Sequence, residues 1–109
     1  MTELAISSSP HGGWTVVSVA GDIDESTAPE LRVFLSGLVE EGASSLLLDL
    51  ERVEFLDSSA FDVLRHAQHE VAGSGGEIQI LADASPVATI FRTTGLDRTF
   101  TVVSEMPTP

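Results

Sequence analysis

The segment Leu46-Leu47-Leu48-Asp49-Leu50 restricts this chain more than any other. A strand with one wet face alternates apolar and polar residues, whereas a strand covered on both faces reads as a nearly continuous apolar run. Sheets built from such strands are parallel, and parallel neighbours need crossover connections, usually helices. Helical patterns do flank the segment. Before it, Leu31, Phe34, Leu35, Leu38 and Val39 fall on one helical stripe; after it, Ala60, Val63, Leu64, Ala67 and Val71 form another.

The remaining elements follow from turn and cap chemistry. Leu4 to Ser8 predicts a short strand, Ser9-Pro10-His11-Gly12-Gly13 a turn, and the β-branched run Trp14 to Ala20 an antiparallel partner strand. Thr27 opens the first helix with Glu30 at capping-box spacing and Pro29 in the first turn; Gly42 closes it. Asp57-Ser58-Ser59 provides cap chemistry for the second helix, and Ser59 with Asp62 also matches a capping box. Gly73-Ser74-Gly75-Gly76 breaks that helix, and Glu77 to Leu81 alternates as a strand. Ser85-Pro86 reads as an N-cap with proline at the first helical position, and Val87, Ile90 and Phe91 form the buried face. Gly95 suits a left-handed C-terminal stop against which Leu96 packs back on Phe91. Phe100 to Val103 is a last strand, and Met106 to Pro109 a loose tail. The order ββαβαβαβ predicts an α/β fold: a mixed sheet with an opening antiparallel hairpin, then parallel βαβ units layered with helices. At 109 residues the chain is the size of one domain, 1–109, with a core over about 4–103.

Charge and missing residue types exclude several classes of chemistry. The formal net charge is -12, and all five basic residues are arginine. Nucleic acid and anionic membrane surfaces are therefore not expected partners, since both need clustered positive charge. A protein partner would present a basic face. The absence of cysteine removes disulfides, thiolate metal sites and cysteine nucleophiles, and the absence of lysine removes P-loop and Schiff-base chemistry. No apolar run reaches the ~20 residues of a membrane span, and Met1-Thr2-Glu3-Leu4 does not begin a signal peptide, so a cytoplasmic protein is expected.

Asp57-Ser58-Ser59 is the most informative stretch for function. It lies between a buried strand and a helix, where free backbone N–H groups and the helix dipole favour negative charge. A phosphate on serine there adds about -1.5 to -2 charges at one edge of the surface. Ordinary capping explains the same residues. Asp22 and Asp24, before the first helix, are either partner-facing acids or solvated loop acids, and with Asp57 they contain the oxygen ligands a magnesium ion uses. His66 and His69 share a helix with Glu70 but lack a clear third metal ligand. They also lie two to three turns from Ser58, too far to activate it as a nucleophile at about 1.5 Å of rise per residue. His11 in its turn suggests no role, and Trp14 reads as packing.

The stretch Leu48-Asp49-Leu50-Glu51-Arg52-Val53-Glu54-Phe55-Leu56-Asp57-Ser58-Ser59 resembles the signature of STAS-domain anti-sigma factor antagonists, in which a D-L-x-x-V-x-F-x-D-S-S-G segment leads into a helix. Gly21-Asp22-Ile23-Asp24 with Thr27-Ala28, Gly75-Gly76-Glu77, Ser85-Pro86 and Thr94-Gly95-Leu96 resemble further family segments in the same order, over about residues 4–103. The resemblance implies that the unphosphorylated protein binds an anti-sigma factor with serine-kinase activity and so frees a sigma factor. The kinase phosphorylates Ser58, the complex separates, and a PP2C-type phosphatase restores the cycle. The chain is then a substrate, with no cofactor and no catalytic residue of its own. The partner surface implied comprises Asp22, Asp24, Asp57, Ser58, Ser59, Phe61 and Asp62.

The chain departs from the family where Ala60-Phe61-Asp62 replaces Gly-Leu-Gly. Asp62 lies at i+4 from Ser58, where it repels a phosphate and alters the surface offered to a kinase. Its presence supports a second reading, a constitutive STAS interaction module in a signalling complex or beside a transporter, without a phosphoswitch. A small serine hydrolase is the third and most remote.

Overall fold

Gly12 and Gly13 set the first turn. The computed structural model describes residues 3–83 and 85–107. In it β1 (Ala5–His11) and β2 (Trp14–Ile23) pair antiparallel, with His11 opposite Trp14. Both glycines have positive φ, 52° and 88°, as the tight two-residue hairpin turn demands. The turn is therefore shorter than the Ser9–Gly13 segment expected from sequence. Pro10 is tolerated inside β1 because β1 is an edge strand.

The chain continues through α1 (Ala28–Glu40), β3 (Ser45–Leu56), α2 (Ser58–Ala72), β4 (Glu77–Leu81), α3 (Pro86–Thr94), a 3₁₀ turn (Leu96–Arg98) and β5 (Thr101–Val103). The strand order is β1-β2-β3-β4-β5, and every pair after the hairpin is parallel. Right-handed crossovers in a monotonic strand order place the connecting helices on one side of the sheet. The packing agrees. Val17, Val19, Leu46, Leu48, Leu50, Ile78 and Ile80 share a buried cluster with Leu31 and Leu35 of α1, Leu64 and Val71 of α2, and Val87 and Phe91 of α3. On the opposite face Val16, Leu47 and Leu81 form a small cluster with Trp14 and Val103 and no helix residue. The apolar run of β3 is thus buried on both faces, one under helices and one among neighbouring strands.

β3 and β2 do not keep step. Between Ser18 and Ala20 of β2, β3 advances from Asp49 to Arg52; between Gly21 and Asp22 it advances from Val53 to Phe55. Each shift adds one residue to β3, as a β-bulge does. The buried residues of its second half are consequently Leu50, Val53 and Leu56 rather than every second residue.

The helix starts correct two expectations. Thr27 does not form a capping box. Its Oγ1 donates to the Asp22 carbonyl at 2.8 Å and accepts from Asp24 N–H at 2.9 Å, inside the loop. Asp24 does the organising: its Oδ1 accepts from Ser26 N–H at 2.9 Å, Ser26 Oγ at 2.7 Å and Thr27 N–H at 3.1 Å. The Ser26 hydroxyl and then the Ser26 and Thr27 amides hold the Asp24 carboxyl below its ordinary value. Nor do Ser59 and Asp62 form a box at α2. The cap is Asp57, extended at φ -120° and ψ -169°, whose Oδ1 accepts from Ser59 N–H at 2.8 Å. At α3 the Pro86 start and left-handed Gly95 stop occur as expected; Ser85 holds the N-cap position with extended backbone, but its side chain makes no capping hydrogen bond and its buried Oγ has no partner among the described residues. At the end of the chain Pro107 is tied down, its carbonyl accepting from His11 Nε2 at 3.1 Å. Thr108 and Pro109, the rest of the expected tail, lie outside the described residues.

Three stability measurements check this architecture. A Cβ at Gly76 would run into the Ser44 backbone, whose carbonyl accepts the Glu77 N–H that starts β4. Gly76→Ala is expected to cost at least about 2 kcal/mol in denaturant unfolding. Gly37→Ala, where a Cβ meets nothing within 4 Å inside α1, is expected to gain about 0.5–1 kcal/mol. Asp24→Ala is expected to lower the melting temperature at neutral pH. The folded pKa of Asp24 is depressed, so its contribution is whole above the ordinary value of 3.8 and is lost as pH falls through the depressed one. Melts of the two proteins across that range should therefore converge on the acid side.

Candidate functional site

The parallel strands β2 and β3 end together. Ile23 is the register partner of Leu56, and Asp57 N–H donates to the Ile23 carbonyl at 3.1 Å. This bond fixes the turn from β3 into α2 against the turn from β2 into α1. Both loops therefore open at the carboxyl edge of the sheet, the edge at which open α/β folds present their binding residues. Leu56 is buried, Asp57 half-buried and Ser58 exposed, so the chain surfaces within these three residues. Ser58 occupies the first turn of a 15-residue helix, where the dipole and outward N–H groups accommodate an anion.

The residues singled out in the sequence meet this edge in different ways. Asp22 is half-buried and pairs in register with Phe55. Asp24 spends one carboxylate oxygen on its own loop, so its first role is to hold the entry to α1 beside Ser58. Asp57 likewise acts as a cap, and Ser59 supplies the amide it accepts. Phe61 is half-buried, with its ring edge-on to Phe91 at 6.0 Å between centroids, which makes it a seam between α2 and α3. Asp62 stands out in solvent, its side chain 76% exposed, and forms an ion pair with Arg65 at 3.5 Å. A pair this exposed is worth little in stability, but it sets a cation beside the negative charge that would face a phosphate on Ser58.

Sequence reasoning passed over Phe55. It is 49% exposed beside Asp22, in a position where simple alternation from Val53 would have buried it. Two signals pointed to it: Phe55 falls on the fixed phenylalanine of the signature segment, and Gly21, an isolated glycine inside β2 at φ 114°, marks the register shift that turns it out.

His66 is engaged elsewhere, and His69 is exposed. His66 Nε2 lies 3.2 Å from Glu70 Oε1, and the same oxygen accepts from Ser36 Oγ at 3.0 Å, linking α2 to α1. Among the described residues no three His, Asp or Glu side chains gather as a metal site requires, the Asp22, Asp24 and Asp57 set included. No helix among them is long and apolar enough to cross a membrane.

Comparison with known proteins agrees with this architecture. The family profile described as "Mlab, STAS domain" matches residues 7–104. The anti-sigma-F factor antagonist RsfB of Mycobacterium tuberculosis is 30% identical over 103 residues, covering 94% of this chain and 84% of RsfB. The anti-sigma-B factor antagonist of Staphylococcus aureus is 28% identical over 80 residues, covering 73% and 74%. The crystal structure of an anti-sigma factor antagonist from Mycobacterium paratuberculosis superposes with a TM-score of 0.84 at 30% identity, covering 94% of this chain and 87% of that one. The phosphorylated form of the Bacillus cell fate determinant SpoIIAA superposes with a TM-score of 0.69 at 19% identity over 93% of both chains, a likeness of fold. With its ββαβαβαβ order, its mixed sheet and its Asp57-Ser58-Ser59 helix start, the chain belongs to the STAS-domain family, alongside relatives named as anti-sigma factor antagonists.

Proposed function

We propose that this protein is an anti-sigma factor antagonist, a cytoplasmic regulator that binds an anti-sigma factor in its unphosphorylated form and is released when that partner's kinase activity phosphorylates Ser58. The observation that carries the reading is the exposure of Ser58 at the start of α2, on the edge where β2 and β3 end. A phosphate there is stabilised by its own helix and leaves the fold intact. It adds about -1.5 to -2 charges to an edge that already carries Asp22, Asp24 and Asp57. A docked partner would be forced to desolvate that charge or let go. The protein acts in this cycle as ligand and substrate. ATP is held by the kinase, and a PP2C-type phosphatase returns the serine to its free state.

Asp62 favours a second reading, in which the same edge binds a partner constitutively. On that account the acidic α2 face lowers the rate at which a kinase uses Ser58, and Arg65 offsets the effect in part. Asp62→Gly separates the two: under the switch reading it raises the phosphorylation rate of Ser58 by the anti-sigma factor kinase, and under the constitutive reading Ser58 stays unmodified in both proteins.

The direct test is titration of the anti-sigma factor with three forms of the protein. Wild type and Ser58→Ala are expected to bind alike, and Ser58→Asp at least about tenfold more weakly. Equal binding by Ser58→Ala and Ser58→Asp contradicts the switch.

A further inference from the structure

The Gly21–Asp22 step of β2 faces the Val53–Phe55 step of β3, so one peptide of β2 is matched by two of β3. Bulges of this kind re-aim side chains next to functional sites. Here the shift leaves Val53 and Leu56 in the core and turns Phe55 out, 49% exposed, where strict alternation from Val53 would bury it. An aromatic ring held half in water at a strand end does nothing for the core that Val53 and Leu56 do not already do. Its register partner is Asp22, and directly neighbouring residues of adjacent strands face the same side, so ring and carboxylate stand together. Glu54 beside it is exposed, and Asp57 follows two residues on. Ser58 is three residues from Phe55, within about 11 Å along even a fully extended chain.

Resting on the proposed function above, we propose that Phe55 is the apolar anchor of the partner surface: it inserts into an apolar pocket rimmed by Arg or Lys on the anti-sigma factor, and the acids around it select for that rim. Three features fit one such occupant. The ring supplies the area that dominates protein interfaces, where aromatic anchors carry most of the energy. The acidic rim and the net charge of -12 call for a positive surround. Ser58 follows Phe55 by three residues, so a phosphate there adds a charge to be desolvated, and bulk, at the margin of the docked interface. Phe61, the other aromatic of this region, is committed to Phe91 and does not compete for the role.

The experiment measures binding of wild type, Phe55→Ala, Phe55→Leu, Asp22→Asn and Ser58→Asp to the anti-sigma factor at low and moderate salt, with a thermal melt of each. The expected result is a loss of at least about tenfold for Phe55→Ala at both salt concentrations, a smaller loss for Phe55→Leu, and a melting temperature within a few degrees of wild type, as suits a half-exposed side chain. Asp22→Asn should instead flatten the salt dependence. Phe55→Ala binding within about threefold of wild type, while Ser58→Asp still abolishes binding, overturns the anchor and leaves the switch standing. If Phe55→Ala proves unstable, Phe55→Leu decides: binding equal to wild type overturns the proposal. Wild type failing to bind the anti-sigma factor overturns the functional reading itself and the anchor with it.

Discussion

β3 is the member on which the rest of the structure depends. It pairs with β2 on one side and β4 on the other, and Leu46, Leu48 and Leu50 lie fully buried beneath all three helices. Each such leucine removes enough apolar surface from water to contribute about 1.5–3 kcal/mol. The same strand ends at Leu56 and passes through Asp57 into Ser58 at the start of α2, so the strand that supplies much of the core also delivers the serine to the surface. The Asp57 amide bond to Ile23 and the Asp57 side-chain cap on Ser59 lock that delivery at both ends. In the proposed cycle, a serine mounted this way would change its charge without changing its position.

The proposed phosphoswitch relies on that rigidity. A domain with a loose switch loop would have to refold to signal. Here the two loops at the carboxyl edge are tied by short hydrogen bonds: Thr27 to Asp22, Asp24 to Ser26, and Asp57 to Ile23. What a phosphate changes is the surface itself, through charge and bulk at a place the partner must cover. Asp62 lies one helical turn from Ser58 and pairs with Arg65.

Much of the fold was legible because its strongest signals are local. The apolar run of β3, the helical stripes of α1 and α2, Pro86 and Gly95 each report a backbone state that neighbours along the chain determine. The misread helix starts have a common cause. Thr27 with Glu30, and Ser59 with Asp62, have the right spacing for capping boxes, but acids earlier in each loop, Asp24 and Asp57, take the capping hydrogen bonds first. The bulges of β3 are defined only relative to β2, where Gly21 at φ 114° is a local sign of the second, so alternation along β3 alone misplaced Phe55. For the candidate site, position between a buried strand and a helix marked Asp57-Ser58-Ser59 as a helix start, and the family resemblance added its functional reading. That Phe61 packs on Phe91 depends on a contact across the fold, and the commitment of Asp24 on the geometry of its own short loop.

The most direct test of the central claim is the intact mass of the protein taken from its native cells under growth and stress, with the modified site mapped by fragmentation. The account predicts a fraction carrying one phosphate, located on Ser58, whose share changes with the condition. An unmodified chain in every condition, or a phosphate mapped to another residue, would contradict it.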